Sequence, residues 1–230
     1  MPIAVIGTDS RYAYDLNRSP ETAIYDDAWG KKVWKRPLSK AEKKRSMLRH
    51  EKFYAILSAL IETLERRHKA CVVYDIHSYN WKRWEREVPT FNIGTEKLDP
   101  HWNGEAEAFK KALTEQTLPH GISSACAIND VFMGRGYNLA RISQQFKRTL
   151  VLATEVKKVY CDETTGERFP AIVHAVQVAF KHAILLHARG FTERHTSASY
   201  ADEPAMLPSV PSAKLMEVDA QLYELTRGFE

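Results

Sequence analysis

Along this chain, stretches with helical spacing of apolar residues alternate with short continuous apolar runs. Leu48, Phe53, Ile56, Leu57, Leu60, Ile61 and Leu64 recur at helical intervals, and Ser39 followed by Glu42 makes a capping signal. This predicts a long helix over residues 39–68. Residues 70–76, apolar but for Asp75, are rich in Val and Ile and too short for a helix, which reads as a strand packed on both faces. Further strands are predicted at 89–95, 122–127 and 149–156, and helices at 105–117, 138–147 and 171–187. Two short strands, 3–6 and 11–15, are expected near the start, split by the turn composition Gly7-Thr8-Asp9. The alternation specifies an α/β three-layer sandwich whose mixed, mostly parallel sheet is flanked by helices.

Composition narrows the class. The 230 residues suffice for one α/β domain, and 44% hydrophobic with 27% charged residues is an ordinary soluble balance. Apolar runs fall short of the roughly 20 residues that span a bilayer. The opening residues lack a basic segment before a long apolar stretch, so no secretory leader is expected and the cytoplasm is the default location. Cys71, Cys126 and Cys161 have no paired spacing and are expected as buried thiols outside any disulfide. The net charge of +4 does not demand nucleic acid. The Trp- and Arg-rich run at 81–86 reads as a solvated loop capping a strand-end cleft.

One main domain is expected over 1–190. Residues 191–212 gather Ser, Thr, Pro and Glu and read as a linker, and 213–230 carry an amphipathic helical pattern through Leu215, Val218, Leu222 and Leu225. That last segment either folds back on the domain or docks on a partner protein or fused domain.

Three polar clusters lie at predicted strand ends: 11–18, 75–78 and 155–158. Charged groups leaving apolar strands cost desolvation unless paired or functional, so the three suggest a shared cleft. His77 with Asp75 is suited to metal ligation with a carboxylate orienting the imidazole, and equally to a hydrogen-bonded structural role. Arg11 and Arg18, with Asn17 between, can clamp a carboxylate or pair with Asp9, Asp15 or Glu21. Glu155, at the end of an apolar strand, suits activation of a water or a salt bridge to a neighbour. Arg135 follows Gly134 in a glycine-rich loop and is a further contact candidate, whereas His174, His182 and His187 fall on a helix and are expected to face solvent.

The segments Arg11-Tyr-Ala-Tyr-Asp-Leu-Asn-Arg18, Asp27-Ala-Trp-Gly30, Asp75-Ile-His-Ser-Tyr-Asn80, Asn92-Ile-Gly-Thr95 and Glu155-Val-Lys-Lys158, in this order and spacing, resemble the N-formylglutamate amidohydrolase family over residues 3–190. The family is similar to zinc carboxypeptidases and aspartoacylases. The resemblance implies a hydrolase that cleaves the amide of a small N-acylated amino acid with a zinc-activated water. It assigns His77 as the last of three zinc ligands, Glu155 as general base and acid, and Arg11, Asn17 and Arg18 to the substrate carboxylate and scissile carbonyl.

The same resemblance places the other two zinc ligands, a His and a Glu, upstream of the segment at 11–18, where only ten residues precede Arg11 and none is His or Glu. Two expectations follow. Either the chain is a truncated product of a longer gene, or it is a degenerate member that has lost metal and binds carboxylates without catalysis, acting with a partner.

Overall fold

The computed structural model describes residues 3–196. The chain divides into two compact units, one holding residues up to Arg66 and the other beginning at Arg67.

In the first unit the predicted helix forms as α1 (Lys40–His68). Its start is a reciprocal capping box: Glu42 N donates to Ser39 Oγ at 3.2 Å and Ser39 N donates to Glu42 Oε2 at 2.8 Å. The Arg36 guanidinium, gripping Glu42 at 2.7 and 3.0 Å, leads the contacts that hold its carboxyl at about 2. Before the helix, β1 (Asp27–Ala28) pairs antiparallel with β2 (Lys31–Lys32) through Trp29 and Gly30. Both turn residues have positive φ, 50° and 73°, the geometry that matches the right-handed twist of a hairpin.

The short strands expected at 3–6 and 11–15 do not form. Ile3 and Ile6 are exposed, and residues 11–13 make a turn in which Ala13 N donates to Ser10 O at 2.8 Å. A second turn follows directly, in which Asp15 Oδ1 accepts the Asn17 backbone N–H and Asp15 O accepts the Arg18 N–H, both at 3.0 Å, so the chain at 11–18 is folded where a ladder would need it straight.

The second unit is a four-stranded sheet in the order β3-β6-β4-β5. β3 (Cys71–Tyr79) runs parallel to β6 (Thr149–Lys157), β4 (Phe91–Gly94) runs antiparallel to β6, and β5 (Cys126–Ile128) is parallel to β4. The fold is α/β, a mixed sheet flanked by helices. Leu150, Val151 and Leu152 of the central strand are fully buried, as a near-continuous apolar run requires. β3, read as packed on both faces, is instead an edge strand whose Ile76 is 53% exposed.

Three helices complete the unit: α2 (Asn103–Thr114), α3 (Tyr137–Gln145) and α4 (Pro170–His195). On one sheet face Tyr74 packs on Phe109 at 5.2 Å between centroids, and Phe91 packs on Phe180 at 5.9 Å. α4 continues through Gly190, so residues 191–195 of the expected linker are helical. By length and composition α4 could cross a membrane; within it Val176, Ala179, Phe180, Ala183, His187 and Phe191 are buried, whereas Val178, Leu185 and Leu186 are exposed. Cys71 and Cys126 are buried and no disulfide links the three cysteines. The amphipathic segment 213–230 lies outside the described residues.

Candidate active site

Register on the sheet creates the site in the second unit. His77 on β3 is the Cα partner of Glu155 on β6, and Glu155 is in turn the partner of Asn92 on β4. Residues directly opposite on paired strands share a face, so imidazole, carboxylate and amide form one polar row across three strands. Asp75, two residues back on β3, lies on the same face, and its Oδ1 is 3.0 Å from His77 Nε2. Tyr79, two residues on, continues the line. Burial first, and then the negative charges of Asp130 and Glu155, push the Tyr79 phenol far above its ordinary range. Its hydroxyl donates to Pro89 O.

Asn92 is fully buried in an otherwise apolar strand and satisfies its amide on the loop after β5. Its Oδ1 accepts from Asp130 N at 2.9 Å and Val131 N at 3.1 Å, and its Nδ2 donates to Phe132 O at 2.8 Å. Beyond it, Gly94 meets Gly134 backbone to backbone. A Cβ on Gly94 would lie 2.3 Å from Gly134 N, and Gly134 itself has φ +78°. The loop presenting Arg135 is thereby fixed, and Arg135 Nε donates to Glu96 Oε2 at 2.6 Å.

The loop after β3 is fastened at both ends. Trp81 N donates to Glu163 Oε1, and Arg86 grips Asp130 through two nitrogens at 2.8 and 3.0 Å. It is partly buried at Trp81 and Trp84 while Lys82, Arg83 and Arg86 are exposed.

In the first unit, Arg11 and Arg18 gather on one buried carboxylate. Arg11 Nη2 is 2.6 Å and Arg18 Nε 3.5 Å from Asp15 Oδ2. Arg18 also stacks 4.5 Å over the Tyr25 ring and Arg11 5.7 Å over Trp29. Burial works against the Arg11 charge, yet Asp15 overrides it and the guanidinium is held more firmly protonated than usual. Both arginines remain about half exposed, at 53% and 50%, so each keeps an open donor edge. Asn17 joins the group through its backbone bond to Asp15. The structure thus brings His77 to Glu155, and Arg11, Asn17 and Arg18 to Asp15, each set within its own unit.

Sequence reading gave no role to Asn92, although a lone amide between Phe91 and Ile93 signals an internal hydrogen-bonding task. It also misplaced His187. Far from facing solvent, His187 is buried, its Nδ1 2.7 Å from Tyr74 Oη and its Nε2 3.2 Å from Glu105 Oε2. Helical periodicity around it, with Ala183 and Phe191 on the same stripe, carried that signal.

Catalytic zinc normally takes three protein ligands. Among the described residues, no three His, Cys, Asp or Glu side chains gather as a set able to hold a metal ion. These residues therefore do not by themselves fit the zinc that the resemblance implies, and no chemical step is routed through it.

A family profile described as N-formylglutamate amidohydrolase matches residues 3–161. Among solved structures, the crystal structure of N-formylglutamate amidohydrolase from Ralstonia eutropha JMP134 is similar, with a TM-score of 0.61 at 20% identity over 78% of this chain and 73% of that one. No curated protein matches the chain significantly.

Proposed function

Because the chain belongs to the N-formylglutamate amidohydrolase family, we propose that it hydrolyses the amide of a small N-acylated amino acid. The observation that carries this reading is the register pairing of His77 with Glu155, with Asp75 behind the imidazole. Glu155 takes a proton from the attacking water as its oxygen bonds to the acyl carbon. The carbon–nitrogen bond then breaks, and the same carboxyl delivers the proton to the leaving amine, giving a carboxylic acid and a free amino acid. His77, its Nε2 held by Asp75, offers its other ring nitrogen as an acceptor that can orient the attacking water. Within the first unit, the open edges of Arg11 and Arg18 suit a carboxylate, a planar anion matched to a guanidinium fork.

A second reading is a carboxylate-binding domain without hydrolysis, favoured by the lack of a three-ligand metal group among the described residues. One experiment separates the two. Purified chain is incubated with N-formyl-L-glutamate, with and without added zinc, while formate release and ligand binding are measured in parallel. Formate release that disappears in Glu155→Gln supports the hydrolase. Binding that disappears in Arg18→Ala, with no turnover under either condition, supports the second reading and ends the first.

A further inference from the structure

The loop after β3 holds one cation unlike its neighbours. Lys82 pairs with Asp162 at 3.6 Å, Arg86 with Asp130, and Lys158 with Asn80 at 2.7 Å. Lys157 donates to Val88 O at 3.1 Å. Arg83 makes no ion pair or hydrogen bond among the described residues. Its guanidinium lies 4.1 Å from the Trp84 ring centroid and 5.8 Å from that of Phe132. Stacking of this kind fixes the plane of the group and leaves its donor edge open.

The platform under Arg83 grows from the strands that carry the polar row. Tyr79, Trp84 and Phe132 meet edge to face, with centroids 5.5, 5.5 and 5.9 Å apart. Tyr79 lies two residues beyond His77 on the same face of β3. Asn92, the register partner of Glu155, holds Phe132 through its carbonyl. The loop cannot swing freely, because Glu163 fastens Trp81 and Asp130 fastens Arg86. A charged side chain on a flexible stem loses entropy when it binds, and stacking on a fixed aromatic floor removes much of that cost in advance.

We infer that Arg83 is the residue that distinguishes acidic from neutral substrates, binding a second carboxylate carried on the amino-acid side chain of the N-acyl substrate. The juxtaposition behind it is an unpaired, ring-stacked guanidinium on a platform anchored to the strands of His77 and Glu155. Arg86 is less suited, since Asp130 occupies both of its terminal nitrogens, and Arg135 lies off this platform, tied through Nε to Glu96.

This inference rests on the amidohydrolase reading, and the test keeps the two apart. Binding and kcat/KM are measured on the full chain for N-formyl-L-glutamate and for N-formyl-L-glutamine, its neutral isostere, with wild type, Arg83→Ala and Arg83→Lys. Wild type should favour the glutamate compound. Arg83→Ala should weaken its binding about 10- to 100-fold, the range for a charge-assisted hydrogen-bonded pair, and leave the glutamine compound unchanged. Arg83→Lys should fall between, since it keeps charge but loses the planar stack. The loss should appear in KM and not in kcat, because the contact is remote from the reacting amide. An unaltered glutamate-to-glutamine ratio in Arg83→Ala overturns the inference, as does a wild type that does not discriminate between the two compounds, even if hydrolysis is intact. Discrimination that depends on Arg83 in a chain without turnover keeps this site and removes the hydrolase.

Discussion

His77 and Glu155 are separated by 78 positions in sequence, yet parallel pairing of β3 with β6 sets their Cα atoms opposite each other. The register runs without a break from Cys71 with Thr149 to Tyr79 with Lys157, and a one-residue slip of the pairing would send one of the two side chains to the other face. Thr154 and Ile76, one residue earlier, share the opposite face. The imidazole–carboxylate pair is therefore a property of the whole ladder, not of the residues next to it.

Removing the carboxylate proposed to transfer the proton should separate chemistry from binding. Glu155→Gln keeps the shape of the side chain and loses its basicity, so kcat for formate release should fall by about 100- to 10,000-fold with little change in KM. Steady-state kinetics on N-formyl-L-glutamate measures both. An unchanged kcat would show that another group moves the proton.

Metal content follows from the donor set. With no three-ligand group among the described residues, zinc should be held loosely, and the chain dialysed against buffer should carry well under one zinc per molecule by elemental analysis. Zinc added in excess should bind through His77, and His77→Ala should remove that binding. Stoichiometric zinc surviving dialysis in the His77→Ala variant would contradict the donor set described here.

Gly94→Ala should be among the most disruptive single changes in the second unit. The added methyl would lie 2.3 Å from Gly134 N and 2.4 Å from Gly134 Cα, both backbone atoms that cannot rotate away. Overpacking of this kind costs about 1–3 kcal/mol, and the strand and loop would have to part to relieve it. Urea unfolding should report the loss. Hydrogen exchange should report it separately, through weaker protection of Glu96 N, which now donates to Met133 O at 2.8 Å. Wild-type protection there would mean that the two segments are not in tight contact.

Much of this architecture was legible in the sequence because local signals agreed with the fold. Ser39 and Glu42 announced the start of α1, and the apolar runs at 71 and 149 announced the two paired strands. What failed was local pattern set against turn-forming hydrogen bonds. Residues 11–15 look strand-like by composition, but Asp15 turns the chain and draws Arg11 and Arg18 onto itself. The pairing of His77 with Glu155 was only an expectation of proximity, since strand order and register are set by contacts distant along the chain. His187 was misread for a related reason. An isolated histidine on a helix looks polar, and only tertiary packing supplies the phenol and carboxylate that let it be buried.

That buried group predicts how stability responds to acid. Glu105, with 9% of its side chain exposed, accepts from Arg194 Nε and Nη2, both at 2.8 Å, faces His195 Nε2 at 2.8 Å and lies 3.2 Å from His187 Nε2. The Arg194 fork, against the opposing effect of burial, holds the Glu105 carboxyl at about 2, below its ordinary 4.5. Its contribution is complete above 4.5 and is lost as pH falls from there toward 2. Burial pushes His187 below its ordinary 6.5, with the Glu105 charge opposing. Below 6.5 the unfolded chain therefore binds the proton more readily than the folded one, and stability again drops on acidification. The two groups act in sequence, His187 first and Glu105 at lower pH. Urea midpoints measured from pH 7 downward should decline in two stages. Glu105→Gln should cost about 2 kcal/mol at neutral pH through loss of the charge-assisted bonds and should flatten the lower stage. A Glu105→Gln chain that keeps the wild-type slope at low pH would place the acid sensitivity elsewhere in the molecule.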